Sequence, residues 1–223
     1  MINSRNLNLF FLMFCLNCSF LSGQLTIKAG FSLADHSEAE KILIPSGMDV
    51  GMLRNNYHFG LAYQYIFEGT GMSVLPGLSN TFSESAIGSS TIRFYRIGFE
   101  LPFKFFPFNM EGDCNCPDFS IRNKFFEKHF FIMLNPGINF NVKTNPALDN
   151  SVFNSISYKA GIGAGLSVSA GKRIILSPSL NLYWFFGDKW NTSILNSSSN
   201  QKFSTSYSEA ELELRLVYKF RSR

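Results

Sequence analysis

Glu209-Ala210-Glu211-Leu212-Glu213-Leu214-Arg215-Leu216-Val217-Tyr218-Lys219-Phe220, close to the C-terminus, decides how the whole chain is read. Its even-numbered positions are Ala, Leu, Leu, Leu, Tyr and Phe, and its odd-numbered positions are Glu, Glu, Glu, Arg, Val and Lys. Side chains on a strand point alternately to opposite faces, so the run is a strand with one apolar and one charged face. A soluble sheet alternates in the same way, with its apolar side in the core. The other strands must decide between the two.

They follow the same pattern. Leu25, Ile27, Ala29, Phe31 and Leu33 alternate with Thr26, Lys28, Gly30 and Ser32, and Tyr57 to Phe67 carries an aromatic at most odd positions. Similar alternation runs through Met72–Ser79, interrupted by Pro76, and through Tyr95–Phe105, Phe130–Lys143, Tyr158–Ser169 and Ile174–Phe186. With the last strand this predicts eight. Polar stretches at 35–56, 83–90, 144–156 and 187–203 are expected long loops, and 69–71 and 170–172 are expected short turns. Long loops on one side and tight turns on the other fit an up-and-down barrel. The segment 107–128, with Cys114 and Cys116, falls on the short-turn side as an insertion.

Composition narrows the class. The 223 residues are 45% hydrophobic and 16% charged, against about 25% charged in soluble domains. A net charge of +4 without a basic block excludes nucleic acid as an expected partner. Residues 1–23 read as a signal peptide, with Arg5, the apolar run Leu9–Leu16 and Leu21-Ser22-Gly23 before a cut at Gln24. The barrel domain is then 24–223.

Face asymmetry separates a membrane barrel from a soluble one. The apolar face is bulky, whereas the polar face is rich in Gly, Ser and Asn, including Gly161, Gly163 and Gly165. Eight strands enclose only enough room for side chains to fill, and a ring of Phe and Tyr is expected to overfill it. The fold class is therefore all-β: an eight-stranded antiparallel up-and-down transmembrane β-barrel. Leu212, Leu214, Leu216, Tyr218 and Phe220 are expected to face lipid, with the last strand closing on Leu25–Leu33. Tyr57, Phe67, Tyr158, Trp184 and Tyr218 are expected in interfacial girdles. Lys28, Arg96, Glu100, Lys104, Glu211, Glu213, Arg215 and Lys219, with Glu68 and Lys159, face the lumen. Buried ions must pair or cost several kcal/mol each, so a salt-bridge plug is expected in place of an open pore.

Glu100-Leu101-Pro102-Phe103-Lys104-Phe105-Phe106 and the final Leu216-Val217-Tyr218-Lys219-Phe220, within this pattern, resemble the PorT-like outer-membrane β-barrel family. The resemblance implies a Gram-negative outer membrane, assembly by the barrel-assembly machinery, and an N-terminus and short turns facing the periplasm. It also implies a link to protein secretion, and supplies no catalytic residues.

No chemistry-bearing motif stands out. Gly161, Gly163 and Gly165 repeat along one strand face, whereas a dinucleotide loop needs its glycines at a strand-to-helix turn. His36, His58 and His129 lack metal spacing; Asp35-His36-Ser37-Glu38 reads as a solvated loop before it reads as a surface metal site. No cofactor, no metal and no catalytic residue is expected, and the chain is expected not to be an enzyme. Cys114 and Cys116 mark the expected periplasmic contact, a periplasmic or secretion-system protein being the partner, with the barrel itself monomeric in outer-membrane lipid. The expected function is a structural or interaction protein. The alternatives are a narrow channel or hydrophobic-molecule conduit, and, less favoured, a rim enzyme using His58 near Asp35 and His36.

Overall fold

The computed structural model describes residues 23–38, 55–67, 70–87, 90–107, 130–145, 151–171, 173–191 and 202–220. Residues 1–22, Glu68, Cys114 and Cys116 lie outside them, and so do the expectations placed on those positions. Twelve strands form one antiparallel sheet: β1 (Gly23–Asp35), β2 (Asn55–Phe67), β3 (Met72–Val74), β4 (Gly77–Ile87), β5 (Ser90–Glu100) and β6 (Phe103–Phe105), then β7 (Phe130–Leu134), β8 (Gly137–Asn145), β9 (Ser151–Leu166), β10 (Val168–Ser169), β11 (Ile174–Asn191) and β12 (Lys202–Lys219). β9 and β10 are one stave interrupted at Ser167, and three more staves are collinear pairs broken at proline, at Leu75-Pro76, Leu101-Pro102 and Asn135-Pro136, so the twelve strands make eight staves.

Proline has no N–H to give a ladder, which is why those three staves break there. The barrel wall stays continuous because backbone donors bridge the line of breaks. Tyr63 N–H reaches Pro76 O at 3.0 Å, Leu75 reaches Pro102 O at 2.8 Å, Leu101 reaches Pro136 O at 3.0 Å, and Asn135 reaches Gly161 O at 2.8 Å.

The sheet closes on itself. β12 pairs with β11 on one side and with β1 on the other, Leu25 opposite Tyr218 and Leu33 opposite Ala210. Following the register from Thr26 through Ala62, Gly77, Glu100, Gly137, Lys159, Phe185 and Tyr207 returns to β1 level with His36, ten residues above the start. Eight staves with that stagger tilt strongly and leave an interior that side chains can fill. The molecule is an antiparallel transmembrane β-barrel, and no described helix is long and apolar enough to cross a membrane.

The outer surface is a lipid-type belt. Leu212, Leu214, Leu216 and Phe220 are exposed, Tyr218 is partly so, and the pattern continues through Phe59, Leu78, Ile97, Ile138 and Leu180. Tyr57, Phe82, Tyr95, Tyr158 and Trp184 lie along its upper edge, and Phe67, Phe103 and Phe220 along the lower. Charged side chains resume above the aromatics, where Glu84 and Arg93 pair at 3.7 Å in the open.

Three of the expected long loops are shorter than their polarity suggests. The 83–90 stretch is strand up to Ile87 and again from Ser90; 144–156 is strand to Asn145 and from Ser151; 187–203 is strand to Asn191 and from Lys202. Above the belt polar side chains occupy both faces of a strand, Asn145, Ser155 and Asp188 buried inward and Asn154 and Lys189 exposed outward, so polarity there does not mark irregular backbone.

Candidate functional site

The lumen is the candidate site. Inward side chains from all eight staves meet in three tiers.

The middle tier is ionic. Glu100 on β5 accepts from both Lys28 on β1 and Lys159 on β9, and from Ser79 Oγ at 2.6 Å. Arg215 holds Glu213 on its own strand, and Lys28 Nζ lies 3.8 Å from the same carboxylate. His58 Nε2 sits 3.1 Å from Glu211 Oε1 and 3.7 Å from Glu213 Oε2, contacts not aligned as hydrogen bonds. All these side chains are buried, and alternation explains why: each occupies the face opposite the lipid belt.

The lower tier mixes apolar groups with one cation. Leu75, Phe131, Met133 and Val217 are buried here. Lys104 donates to Ser167 Oγ at 2.9 Å and sits 3.7 Å from the Phe131 ring centroid; among the described residues it has no carboxylate partner. Lys219 lies half-exposed at the barrel end and forms no ion pair among the described residues, because Val217 takes the last buried inward position. The expected network therefore loses Lys219, while Lys104 enters the lumen without joining an ion pair.

The upper tier was not legible as a site. Arg96 grips Glu209 with both guanidinium ends, at 2.9 and 3.2 Å, and reaches Tyr207 Oη at 2.9 Å and Thr81 Oγ1 at 3.2 Å. Its guanidinium rests 4.3 Å over Phe185, which stacks on Tyr207 at 4.5 Å. Above them Lys143 Nζ donates to Asp188 Oδ1 and to the Lys189 carbonyl, each at 2.6 Å, under the Trp190 ring. Asp188 Oδ1 also accepts from Asn141 Nδ2 at 2.9 Å and Ser155 Oγ at 2.8 Å. His36 is buried against Tyr207 and Trp190, not displayed on a solvated loop, so Asp35 to Glu38 form no surface metal site. Burial, only partly offset by Asp188 and Glu209, holds His36 down to about 4.

The interior thus contains six rings, Phe94, Phe131, Tyr183, Phe185, Trp190 and Tyr207, where the size argument expected a polar face of small and charged side chains. They fit because glycines on neighbouring staves make room. A Cβ at Gly161 would fall on the Tyr183 ring, and one at Gly165 on Phe131.

His58, Glu211 and Glu213 are the one described group of metal-ligand type, their ligand atoms within 4.8 Å of one another. Lys28 and Arg215 already give Glu213 positive charge, and Glu211 faces His58 and Asn181, so the trio belongs to the ionic tier.

Fold and site together define a transmembrane β-barrel with a lumen filled by side chains. No protein-family model matches the sequence, and no curated protein matches it. Among solved structures, 90% of the chain is similar to the whole (100%) of Ail, the attachment invasion locus protein of Yersinia pestis, at 12% identity and a TM-score of 0.41. Similarity to the β domain of the Bordetella autotransporter BrkA covers 89% of this chain and 100% of that one, at 6% identity and a TM-score of 0.45. At that distance neither protein's activity transfers to this chain.

Proposed function

We propose that this chain is a Gram-negative outer-membrane protein of PorT-like type, whose barrel anchors interaction surfaces and neither conducts solute nor catalyses a reaction. The observation that carries this reading is the filled lumen. Three tiers of buried, mutually bonded side chains occupy the path a solute would take, and breaking them would expose unpaired charges. In this reading the N-terminal end of β1, the short turns and the 107–128 segment face the periplasm, where that segment, with Cys114 and Cys116, meets a periplasmic or secretion-system protein. The β4–β5 and β11–β12 hairpins face outside. No enzymatic role is part of it, since the His, Ser and Lys groups of the lumen are committed to ion pairs or packing.

The test is fractionation with gel mobility. The protein is expected in outer-membrane fractions with a heat-modifiable shift, and recovery as a soluble periplasmic monomer would overturn the reading. Planar-bilayer recording is expected to show no conductance, whereas reproducible steps would restore the channel alternative.

A further inference from the structure

Between the two aromatic edges of the belt, the described outward positions are apolar or aromatic with one exception, Asn80 on β4. Its carboxamide is exposed, and among the described residues it has no hydrogen-bond partner. Phe59 and Ile97 stand opposite it on the adjacent staves, and Leu78 and Phe82 flank it along its own strand, all exposed. Asn80, Phe59, Leu78 and Ile97, together with Ile27 and Leu61, line a shallow depression.

A carboxamide in hydrocarbon has no water to bond, and acyl chains offer neither donor nor acceptor. Its partner must bring both, at the same depth. A carboxamide is self-complementary: it donates from its NH2 and accepts at its carbonyl oxygen. A two-fold axis along the membrane normal keeps two copies of one residue at equal depth, and such an isologous contact needs only one patch. Polar side chains join transmembrane segments in this way, by hydrogen bonds across an otherwise apolar contact. We propose that the face formed by β2, β4 and β5 is a homodimer interface in which two Asn80 amides bond reciprocally inside an apolar frame. The proposal rests on the membrane-barrel reading, and heat-modifiable mobility checks that reading separately.

The experiment uses the mature chain with Cys114→Ser and Cys116→Ser, reconstituted in phospholipid vesicles. Asn80→Cys is expected to form a disulfide-linked dimer on oxidation. Leu182→Cys, which lies at similar depth four staves away, is expected to form none. In the native-cysteine protein, Asn80→Leu is expected to weaken dimerisation at least tenfold, measured by single-molecule photobleaching across protein-to-lipid ratios, while keeping its heat-modifiable shift. A chain that is monomeric at every ratio overturns the proposal. So does equal crosslinking at positions 80 and 182, or an Asn80→Leu variant that dimerises like the native chain. A lipid lost from the monomer on Asn80→Leu would assign the amide to that lipid and also overturn it.

Discussion

Inside so narrow a barrel, each large side chain depends on a small one beside it. Tyr183 lies over Gly161 and Phe131 over Gly165, so Gly161→Val sets a branched side chain against a ring that cannot move into lipid. We expect a loss of about 1–3 kcal/mol, typical of overpacking, in urea unfolding from vesicles. His36 offers a pH test at the same scale. Its folded value of about 4 lies below the ordinary 6.5, so the unfolded chain binds more protons in between. The stability contributed by neutral His36 is full above pH 6.5 and is lost as pH falls towards 4. The upper bound on that loss is about 3 kcal/mol. Asp188, Glu209, Lys143 and Arg96 also act on this ring, so the check is a difference measurement: His36→Phe is expected to flatten the slope between pH 6.5 and 4 relative to the native chain. Neither the Gly161–Tyr183 nor the His36–Tyr207 contact can be read from sequence, because each joins residues on different strands whose register sets the pairing.

At the scale of the element, β11 shows how one residue changes what a strand presents. Tyr183 and Phe185 point inward at odd positions, then the register slips between Phe185 and Asp188. Gly187 takes φ +72°, where an L side chain is strained, and after it Asp188 and Trp190 point inward at even positions. Alternation alone ends this strand at Phe186 and assigns the rest to a loop. The bulge also answers a need of the wall. Backbone pairing between β9 and β11 stops at Tyr158 and Phe186, although both strands continue upward. Asp188 joins the upper halves instead, through Lys143, Asn141 and Ser155. Asp188→Asn leaves Lys143 buried without its counter-charge, which is expected to cost about 3–5 kcal/mol. Hydrogen exchange should then rise in Ser151–Ser157 and Asp188–Asn191 while the lower staves keep their protection. A uniform rise would show that Asp188 is not local to the seam.

The whole molecule is an inside-out arrangement, with a charged and aromatic interior inside an apolar coat. Leu214→Arg puts a cation into that coat and is expected to cost about 2–4 kcal/mol in vesicles, with little effect in soluble-like regions above the aromatic edge. Arg215, one residue on, is already a buried cation and is tolerated because Glu213 lies within reach. Strand identity, the outward face, the closing pair of β12 with β1 and the inward placement of Lys28, Arg96, Glu100, Glu211, Glu213 and Arg215 were all legible, since a period of two is written residue by residue. Which charges pair was not, because partners such as Arg96 and Glu209 are 113 residues apart and meet only through stagger and tilt. The sequence by itself determined that this chain forms strands with a greasy side and a charged side, because alternation is a local property of the backbone. Only the tertiary structure decided that rings share the interior with ions and that Asp188 stands in for a missing ladder, because both depend on how far each strand is shifted against the next.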